Sequence, residues 1–404
     1  MPSTQPYDDE ELLKASALPP SKLVEELTRL VMQKADGESV LAAVSGGIDS
    51  TVAALVTIRA LGERVHPVFI DTGFMRKREP EEVKSSFDLV SPRKLRIVNE
   101  KERFYASVKS ISDAEKKRLA FRETFYSVLR DLTHEMNVGL LVQGTIAPDW
   151  IETTGGIKTQ HNVLRQLGIR TEEKFGFRLL EPLAYLYKDQ VRALGEQLGL
   201  PQAFISRQPF PGPGLLVRVP GEVTRIKIDL LRATTAVVEE KMNGLGGSQW
   251  FAAIFDAANK RDQPLVGDTD NWVFTQKVTG VKGDARVYGG LIGVGPSANT
   301  SPREFDNKAY RLYMDANTLL REVLNTSEEF FRVCIRFAAK HDSPEGYSIV
   351  IRAVKTSDFM TADVLRPNFP ILKYLAEEIL EIHPNIRDVY YDVTPKPPAT
   401  IEYE

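Results

Sequence analysis

The sequence predicts a doubly wound α/β protein whose parallel sheet is followed by a smaller α/β domain. Two observations predict this fold class. Short apolar runs of strand length alternate with helical segments from residue 21 to about 200, which favours a parallel sheet with helices on both faces. A Pro- and Gly-rich segment at 207–222 then ends the alternation, as expected of a domain junction.

The elements of the first domain, predicted at 21–220, follow a leader at 1–20. Apolar spacing predicts helices at 21–34, 51–61, 113–136 and 188–198 and strands at 39–44, 64–71, 93–99 and 139–144. Ligands of such sheets bind beyond the carboxyl ends of the strands. The turns after Val44 and Ile70 are therefore the first places to search for a site.

The rhythm changes in the predicted second domain, 221–404. The segments with clear patterns are a helix near 223–243, a strand at 284–294, strands at 347–355 and 387–393, and a helix after Pro370. The last three form a β-α-β group. The segment 306–337 is expected to be helical and partly amphipathic.

Composition excludes several classes of protein. A net charge of −3 argues against a general nucleic-acid binder, and no apolar run reaches the length of a membrane span. The single cysteine, Cys334, excludes an intramolecular disulfide and a CxxC metal site. We therefore expect a protein of the reducing cytoplasm that binds neither membranes nor nucleic acids.

The stretch Ser45–Thr51, SGGIDST, has the features of a phosphate-binding loop without a lysine. It follows a strand and opens a helix, so that backbone N–H groups and the helix dipole can bind an anion. Asp49 would be repelled by phosphates unless a Mg²⁺ ion bridged them. The motif GxxxxGK[ST] is absent, which disfavours a P-loop NTPase. A glycine turn followed by a helix cap is the alternative interpretation.

This loop resembles the signature of the N-type ATP pyrophosphatases, proteins with an adenine nucleotide α-hydrolase-like fold. Five further segments, 69–79, 143–152, 156–162, 207–218 and 396–404, together resemble the synthetase part of GMP synthase. The resemblance implies a ligase of carbon–nitrogen bonds in purine biosynthesis. ATP adenylates the C2 oxygen of XMP with release of pyrophosphate, and ammonia then displaces AMP to give GMP.

The resemblance also implies a set of site residues, taken over position by position. Those that contact ATP are Val44, Ser45, Gly46, Gly47, Ile48, Asp49, Ser50, Thr51, Ile70, Asp71, Phe74 and Gly144. Those that bind XMP are Arg118, Asp284, Arg286, Lys396, Thr400, Ile401 and Glu402. Those with catalytic roles are Asp49, which also holds Mg²⁺, with Asp149, Glu152, Lys158 and His161.

Several of these residues have a purely structural alternative. Core packing explains Val44, Ile70 and Phe74 equally well, and a helix cap explains Asp149. Lys158 and His161 match a lid that closes over both substrates; the lysine would neutralise charge during AMP transfer and the histidine would handle protons.

The chain departs from the family pattern at four places. No glutaminase domain is found among residues 1–404, so we expect ammonia to come free or from a separate glutamine amidotransferase subunit. Gln160 stands where the family has the first of two histidines, and Asp388 where it has an arginine, which Arg387 precedes. Residues near 256–275 and 290–345 are insertions in a second domain through which the family forms dimers.

Two other functions remain open from the sequence. One is a related amidating or thiolating enzyme, such as NAD synthetase or a tRNA sulfur-transfer enzyme; the segments 207–218 and 396–404 argue against it. The other is a non-catalytic nucleotide-binding regulator, which the changes at Gln160 and Asp388 keep possible.

Overall fold

The computed structural model describes residues 9–149, 171–265, 269–283, 285–357 and 359–404. The chain divides into two compact units. The N-terminal unit combines Met1–Ser107 with Leu119–Gly212, and the C-terminal unit combines Val108–Arg118 with Pro213–Glu404. Among the described helices, none is both long and apolar enough to cross a membrane.

A five-stranded parallel sheet forms the centre of the N-terminal unit. Its strands are β1 (Val40–Ala43), β2 (Val65–Asp71), β3 (Arg96–Asn99), β4 (Leu140–Val142) and β5 (Arg178–Leu180), in the order β3-β2-β1-β4-β5. In the two central pairings, Val40 lies opposite Val65 on one side and opposite Leu140 on the other. The strand order reverses at β1, which is where doubly wound sheets bind their ligands. The predicted fold class is confirmed.

Helices precede, separate and follow these strands in the described part of the chain. They are α1 (Glu10–Ala15), α2 (Pro20–Ala35), α3 (Ile48–Leu61), α4 (Glu79–Val90), α5 (Lys101–Val108), α6 (Ala114–Glu135), α7 (Thr171–Phe175), α8 (Lys188–Gln197) and α9 (Gln202–Ile205), with α5 ending and α6 beginning among residues of the C-terminal unit. Helix α3 packs between the sheet and helices α2 and α8. It is buried on nearly every face, because its sequence IDSTVAALVTIRAL is apolar all round.

The leader predicted at 1–20 is partly helical. Asp9 caps α1 by accepting a hydrogen bond from the backbone N–H of Leu12 at 3.0 Å, and Leu12 and Ala15 are buried. Two buried side chains on one short turn were too weak a periodic signal to predict this helix. Strand β5 and helices α4 and α5 were also not predicted.

The C-terminal unit contains a nine-stranded mixed sheet. Its strands are β6 (Gln249–Asp256), β7 (Asn259–Lys260), β8 (Asp270–Val273), β9 (Val278–Lys282), β10 (Ala285–Gly295), β11 (Phe330–Ala339), β12 (Tyr347–Lys355), β13 (Asp363–Val364) and β14 (Ile386–Asp392). The main path runs β13-β12-β14-β11-β10-β8-β7, with β6 paired to β12 and β9 to β10. The predicted β-α-β group is present, because β12 and β14 pair in parallel around a helix.

The described helices of this unit are α10 (Arg225–Met242), α11 (Pro302–Met314), α12 (Ala316–Thr326) and α13 (Phe369–Glu381). The helical prediction for 306–337 is right for α11 and α12 but wrong for its last part, which is the buried strand β11. Cys334 lies on this strand, fully buried, and burial raises the pKa of its thiol well above the ordinary value.

Candidate active site

The loop between β1 and α3 has the geometry of an anion site. Gly46 adopts φ +86°, a left-handed conformation that favours glycine. Ser45 donates its backbone N–H to Ser50 Oγ at 3.0 Å, and the two serine hydroxyl oxygens lie 2.9 Å apart. Among the described residues, no hydrogen bond is donated by the backbone N–H groups of Ile48, Asp49 and Ser50 in the first turn of α3. The first-turn N–H groups are therefore available to an anion.

Gly144, which follows β4, lies directly against this turn. A Cβ atom built at Gly144 would lie 2.5 Å from Ser50 N and 2.7 Å from the carbonyl carbon of Asp49. No side chain fits there without moving the backbone. Glycine thus lets the end of β4 approach the start of α3 and fixes where Asp49 stands.

Asp49 is paired with a lysine that the sequence did not reveal. Lys188, the first residue of α8, donates from Nζ to Asp49 Oδ2 at 2.6 Å, across 139 positions of sequence. The second oxygen, Oδ1, is buried and has no hydrogen-bond partner among the described residues. A buried carboxylate oxygen without a donor is suited to a cation.

The described residues contain no group of three or more acidic, histidine or cysteine side chains that could hold a metal. A magnesium site at Asp49 would therefore take its remaining ligands from phosphate oxygens and water, which is how Mg²⁺ is usually bound at nucleotide sites. The residues present therefore fit a magnesium ion for which Asp49 is the protein ligand.

A second layer supports the loop from behind. A Cβ built at Gly46 would lie 3.4 Å from Glu79 Oε1. Glu79, itself buried, pairs with Arg76 at 3.4 Å and with Arg207 at 3.2 Å. The guanidinium of Arg76 also stacks over Phe210, 4.2 Å from its ring centre. Arg207 and Phe210, from one segment that carried the family resemblance, thus contact another such segment, 69–79, behind the loop Ser45–Thr51.

The residues expected near the nucleoside of ATP are mostly buried. Val44, Ile70 and Phe74 are 2%, 4% and 0% exposed. Phe74 packs against Tyr105, with ring centres 5.0 Å apart. Asp71 accepts from the N–H of Gly73 at 3.0 Å and pairs with Lys101 at 3.1 Å. The packing alternative accounts for the three apolar side chains.

Asp149 caps a turn, since its Oδ2 accepts from the N–H of Ile146 at 2.9 Å. This is the structural alternative given for it above. The other residues predicted for catalysis, Glu152, Lys158 and His161, lie outside the described residues, as do Gln160 and Asp284.

In the C-terminal unit, the carboxylate of Glu115 contacts three side chains. Its Oε1 atom accepts from Arg118 Nη1 at 3.0 Å and from the Tyr288 hydroxyl at 2.6 Å, and it lies 3.5 Å from Arg286 Nη1. The pKa of Tyr288 is raised above its ordinary value. Burial is the main cause, and the hydrogen bond to Glu115 is the next. Two further nitrogens of Arg118, Nε and Nη2, are buried with no partner among the described residues. The two arginines predicted to bind XMP therefore lie together, with donors free for an anionic ligand.

The C-terminal tail, 394–404, is held by the unit. Glu402 receives two hydrogen bonds from the buried Arg218, at 3.0 and 2.9 Å, and one from Gln249 at 3.0 Å. Lys396 donates to the carbonyl of Phe359 at 2.5 Å. The role of Arg218 was not predicted, because its partner is distant in sequence.

Asp388, which stands where the family has an arginine, is part of a buried hydrogen-bond network. Asp388 accepts from Arg387 at 2.6 Å, Arg336 at 2.9 Å and Ser348 at 2.6 Å. The registers of β14 with β11 and with β12 both shift here. Arg387 also donates to the carbonyl of Ala258 at 2.8 Å. Its guanidinium is fully buried and is used within the protein.

Comparison with known proteins decides between the functions left open. A model described as GMP synthase C terminal domain matches residues 338–403, and a model described as NAD synthase matches 21–212. A subunit of the glutamine-hydrolyzing GMP synthase of Sulfurisphaera tokodaii is 47% identical over 95% of this chain and 99% of that protein. The chain belongs to the family of the ATP-pyrophosphatase subunit of GMP synthase.

Other members of this family agree. The corresponding subunit from Saccharolobus solfataricus is 43% identical and the one from Methanocaldococcus jannaschii 35% identical, each over 95% of this chain and 99% of the relative. The predicted family is confirmed, and with it the ATP-using C–N ligase of GMP synthesis. The NAD synthase match covers the part with the parallel sheet, which explains why that enzyme was an alternative from the sequence.

Proposed function

We propose that this chain adenylates the C2 oxygen of XMP with ATP, releases pyrophosphate, and lets ammonia displace AMP to give GMP. The observation that carries the proposal is the geometry at the carboxyl end of β1. There, an uncapped helix N-terminus, two loop serines and the Asp49–Lys188 pair lie together. The family resemblance implies cleavage between the α and β phosphates, and the backbone N–H groups of this loop would hold the departing pyrophosphate.

On the ATP side, each group has a separate task. The N–H groups of Ile48 and Asp49 and the hydroxyl groups of Ser45 and Ser50 would bind the pyrophosphate part. Lys188 supplies a positive charge beside it. Magnesium held by Asp49 would neutralise part of the phosphate charge. The protein thus orients the α phosphate and stabilises the charge that develops on the leaving group.

On the XMP side, the C-terminal unit supplies the contacts. Arg118 and Arg286 would bind an anionic group of the nucleotide, since planar guanidinium groups match phosphate oxygens. The tail contributes Lys396, Thr400, Ile401 and Glu402, and we keep Asp284 in this group on the family resemblance alone.

The remaining catalytic assignments are proposed on the same ground. Asp149 and Glu152 would lie near the reacting groups. Lys158 would neutralise charge during adenylyl transfer, and His161 would handle protons during the reaction. Gln160 cannot titrate, so it has no part in proton transfer.

We further propose the setting in which the chain works. The relatives are each named as one subunit of a glutamine-hydrolyzing enzyme, so a separate glutamine amidotransferase subunit would deliver the ammonia. The chain would act as a homodimer in the cytoplasm. Its ATP pyrophosphatase domain would span 21–220, and the XMP-binding, dimerising domain 221–404 would include segments near 256–275 and 290–345 absent from shorter members.

One assay tests the reaction. The chain is incubated with ATP, Mg²⁺, XMP and a high concentration of ammonium, which makes a glutaminase unnecessary, and pyrophosphate, AMP and GMP are followed together. We expect all three in equal amounts, and none without XMP. Pyrophosphate without GMP would indicate another acceptor. ADP and inorganic phosphate in their place would refute the proposed bond cleavage.

A further inference from the structure

Two fully buried arginines lie beneath the C-terminal tail. Arg332 is on β11 and Arg352 on β12, and β14 runs between these strands. Asp392 at the end of β14 meets both guanidinium groups through its Oδ2 atom, at 3.0 and 2.9 Å. All three side chains are 0% exposed. We call Arg332 and Arg352 the arginine pair.

The arginine pair binds the tail through its backbone. Arg332 Nη2 donates to the carbonyl oxygens of Thr400 at 2.8 Å and Glu402 at 2.5 Å. Arg352 donates to the carbonyl of Thr400 at 2.8 Å, to that of Ile401 at 2.8 Å and to that of Thr394 at 3.0 Å. Three consecutive carbonyl groups, those of 400, 401 and 402, are therefore bound to guanidinium groups.

Around the arginine pair, the described residues provide two positive charges and one negative charge. Two guanidinium groups share one carboxylate, and a buried charge without a partner is costly unless dipoles compensate it. The tail carbonyls supply those dipoles. Apolar side chains of similar size stabilise a core at least as well as buried ion pairs do, so stability alone gives little reason for this arrangement.

The amide sides of the same peptides remain available. Among the hydrogen bonds of the described residues, none is donated by the backbone N–H groups of Ile401 and Glu402. A peptide whose carbonyl accepts a charged hydrogen bond becomes a stronger donor at its N–H, because bonds in a chain polarise one another.

We propose that Arg332 and Arg352 are positioning residues for the nucleotide acceptor of the reaction. By binding the tail carbonyls they fix 400–402 and polarise its N–H groups, which then bind acceptor oxygens of XMP. The proposal rests on the proposed function, since it needs the tail to be the XMP site. The arginine pair itself touches no substrate.

The chain offers a matched control for the test. Arg336 lies four residues after Arg332 on the same strand, is equally buried, and pairs with Asp388 at 2.9 Å and Asp342 at 2.5 Å. Among the described residues, the hydrogen bonds and ion pairs of Arg336 include no partner in the tail. In Arg332→Lys and Arg336→Lys the charge is kept, but one ammonium cannot reach all the acceptors of a guanidinium.

The variants are compared by initial-rate kinetics with ATP, XMP and ammonium, and by thermal unfolding. Both should lose stability. We expect Arg332→Lys to raise the KM for XMP at least about tenfold, the effect of losing one charged hydrogen bond, with the KM for ATP unchanged. Arg336→Lys should leave both KM values near those of the wild type. Equal XMP defects in the two variants would overturn the proposal.

Two further variants complete the design. Arg352→Lys carries the same prediction and replaces Arg332→Lys if that variant does not fold. If neither of these two variants folds while Arg336→Lys does, the role of the arginine pair is purely structural. Lys396→Ala separates this inference from the proposed function. If Lys396→Ala raises the KM for XMP and Arg332→Lys does not, only the positioning role is wrong. If Lys396→Ala has no effect on XMP, the tail is not the substrate site.

Discussion

Substituting Gly144 by alanine should impair ATP chemistry through a movement of backbone alone. The new Cβ would meet Ser50 N at 2.5 Å, Ser50 Cα at 2.6 Å and the Asp49 carbonyl carbon at 2.7 Å. These are backbone atoms of a buried helix, so no side-chain rotation relieves the contact. Since ordinary contact begins at 3.4 Å, the start of α3 has to move away by about 1 Å.

The size of the effect follows from that displacement. Overpacking a well-packed site costs about 1–3 kcal/mol of unfolding free energy, which is small enough for the protein to remain folded. Moving Asp49 and the loop N–H groups by about 1 Å misplaces the groups proposed to position the phosphates, and a displacement of that size costs about 100-fold in rate. We therefore expect kcat/KM for ATP to fall about 100-fold while the protein stays folded.

The assay is pyrophosphate release with saturating XMP and ammonium, together with thermal unfolding. Gly212→Ala is the control, since a Cβ there meets no atom within 4 Å, and it should behave like the wild type. Wild-type kinetics in Gly144→Ala would show that the loop adapts to the displacement, and the geometric reasoning would then be wrong.

Three further predictions concern single side chains. Asp49→Ala should keep the fold and reduce pyrophosphate release at least about 100-fold, and retained turnover would contradict its role with magnesium. Lys188→Met should raise the KM for ATP because a cation beside the phosphates is lost; an effect on XMP alone would exclude that role. Glu404 pairs with Lys117 in the interior, and burial raises the pKa of its carboxyl to about 7 from 4.5. A raised pKa in the folded state means that this group stabilises most at low pH, so the stability of the wild type relative to Glu404→Gln should fall between pH 4.5 and about 7. A difference in unfolding temperature that does not change with pH would contradict the raised pKa.

Strands β1 to β4 of the N-terminal unit could be predicted because their signals are local. Strands such as β2 are continuous apolar runs, and the helices between them are long enough to show a period. Strand β11 could not be predicted in the same way. Its arginines, Arg332 and Arg336, are four residues apart, which is the spacing of a solvated helix face. Both are instead buried against acids far away in sequence, and only the folded sheet shows those partners.

The residues of the candidate site also differ in whether their signals in the sequence are local. The loop Ser45–Thr51 could be singled out from seven consecutive residues, because glycines, hydroxyl groups and an acid between a strand and a helix form a local pattern that is typical of a phosphate site. Lys188 and Arg218 could not, because each acts on a carboxylate more than a hundred positions away. A lone lysine at the start of a helix looks like ordinary surface charge until the chain folds.

The burial of the single cysteine, Cys334, has a practical consequence for chemical labelling. Cys334 is buried on strand β11, and burial raises the pKa of its thiol well above the ordinary value, so it will react slowly with maleimides and similar reagents. A cysteine introduced at an exposed position such as Leu89, which is 75% exposed, would then carry a fluorophore or spin label selectively. Probes of domain movement during turnover can thus be attached without first removing a native sulfur.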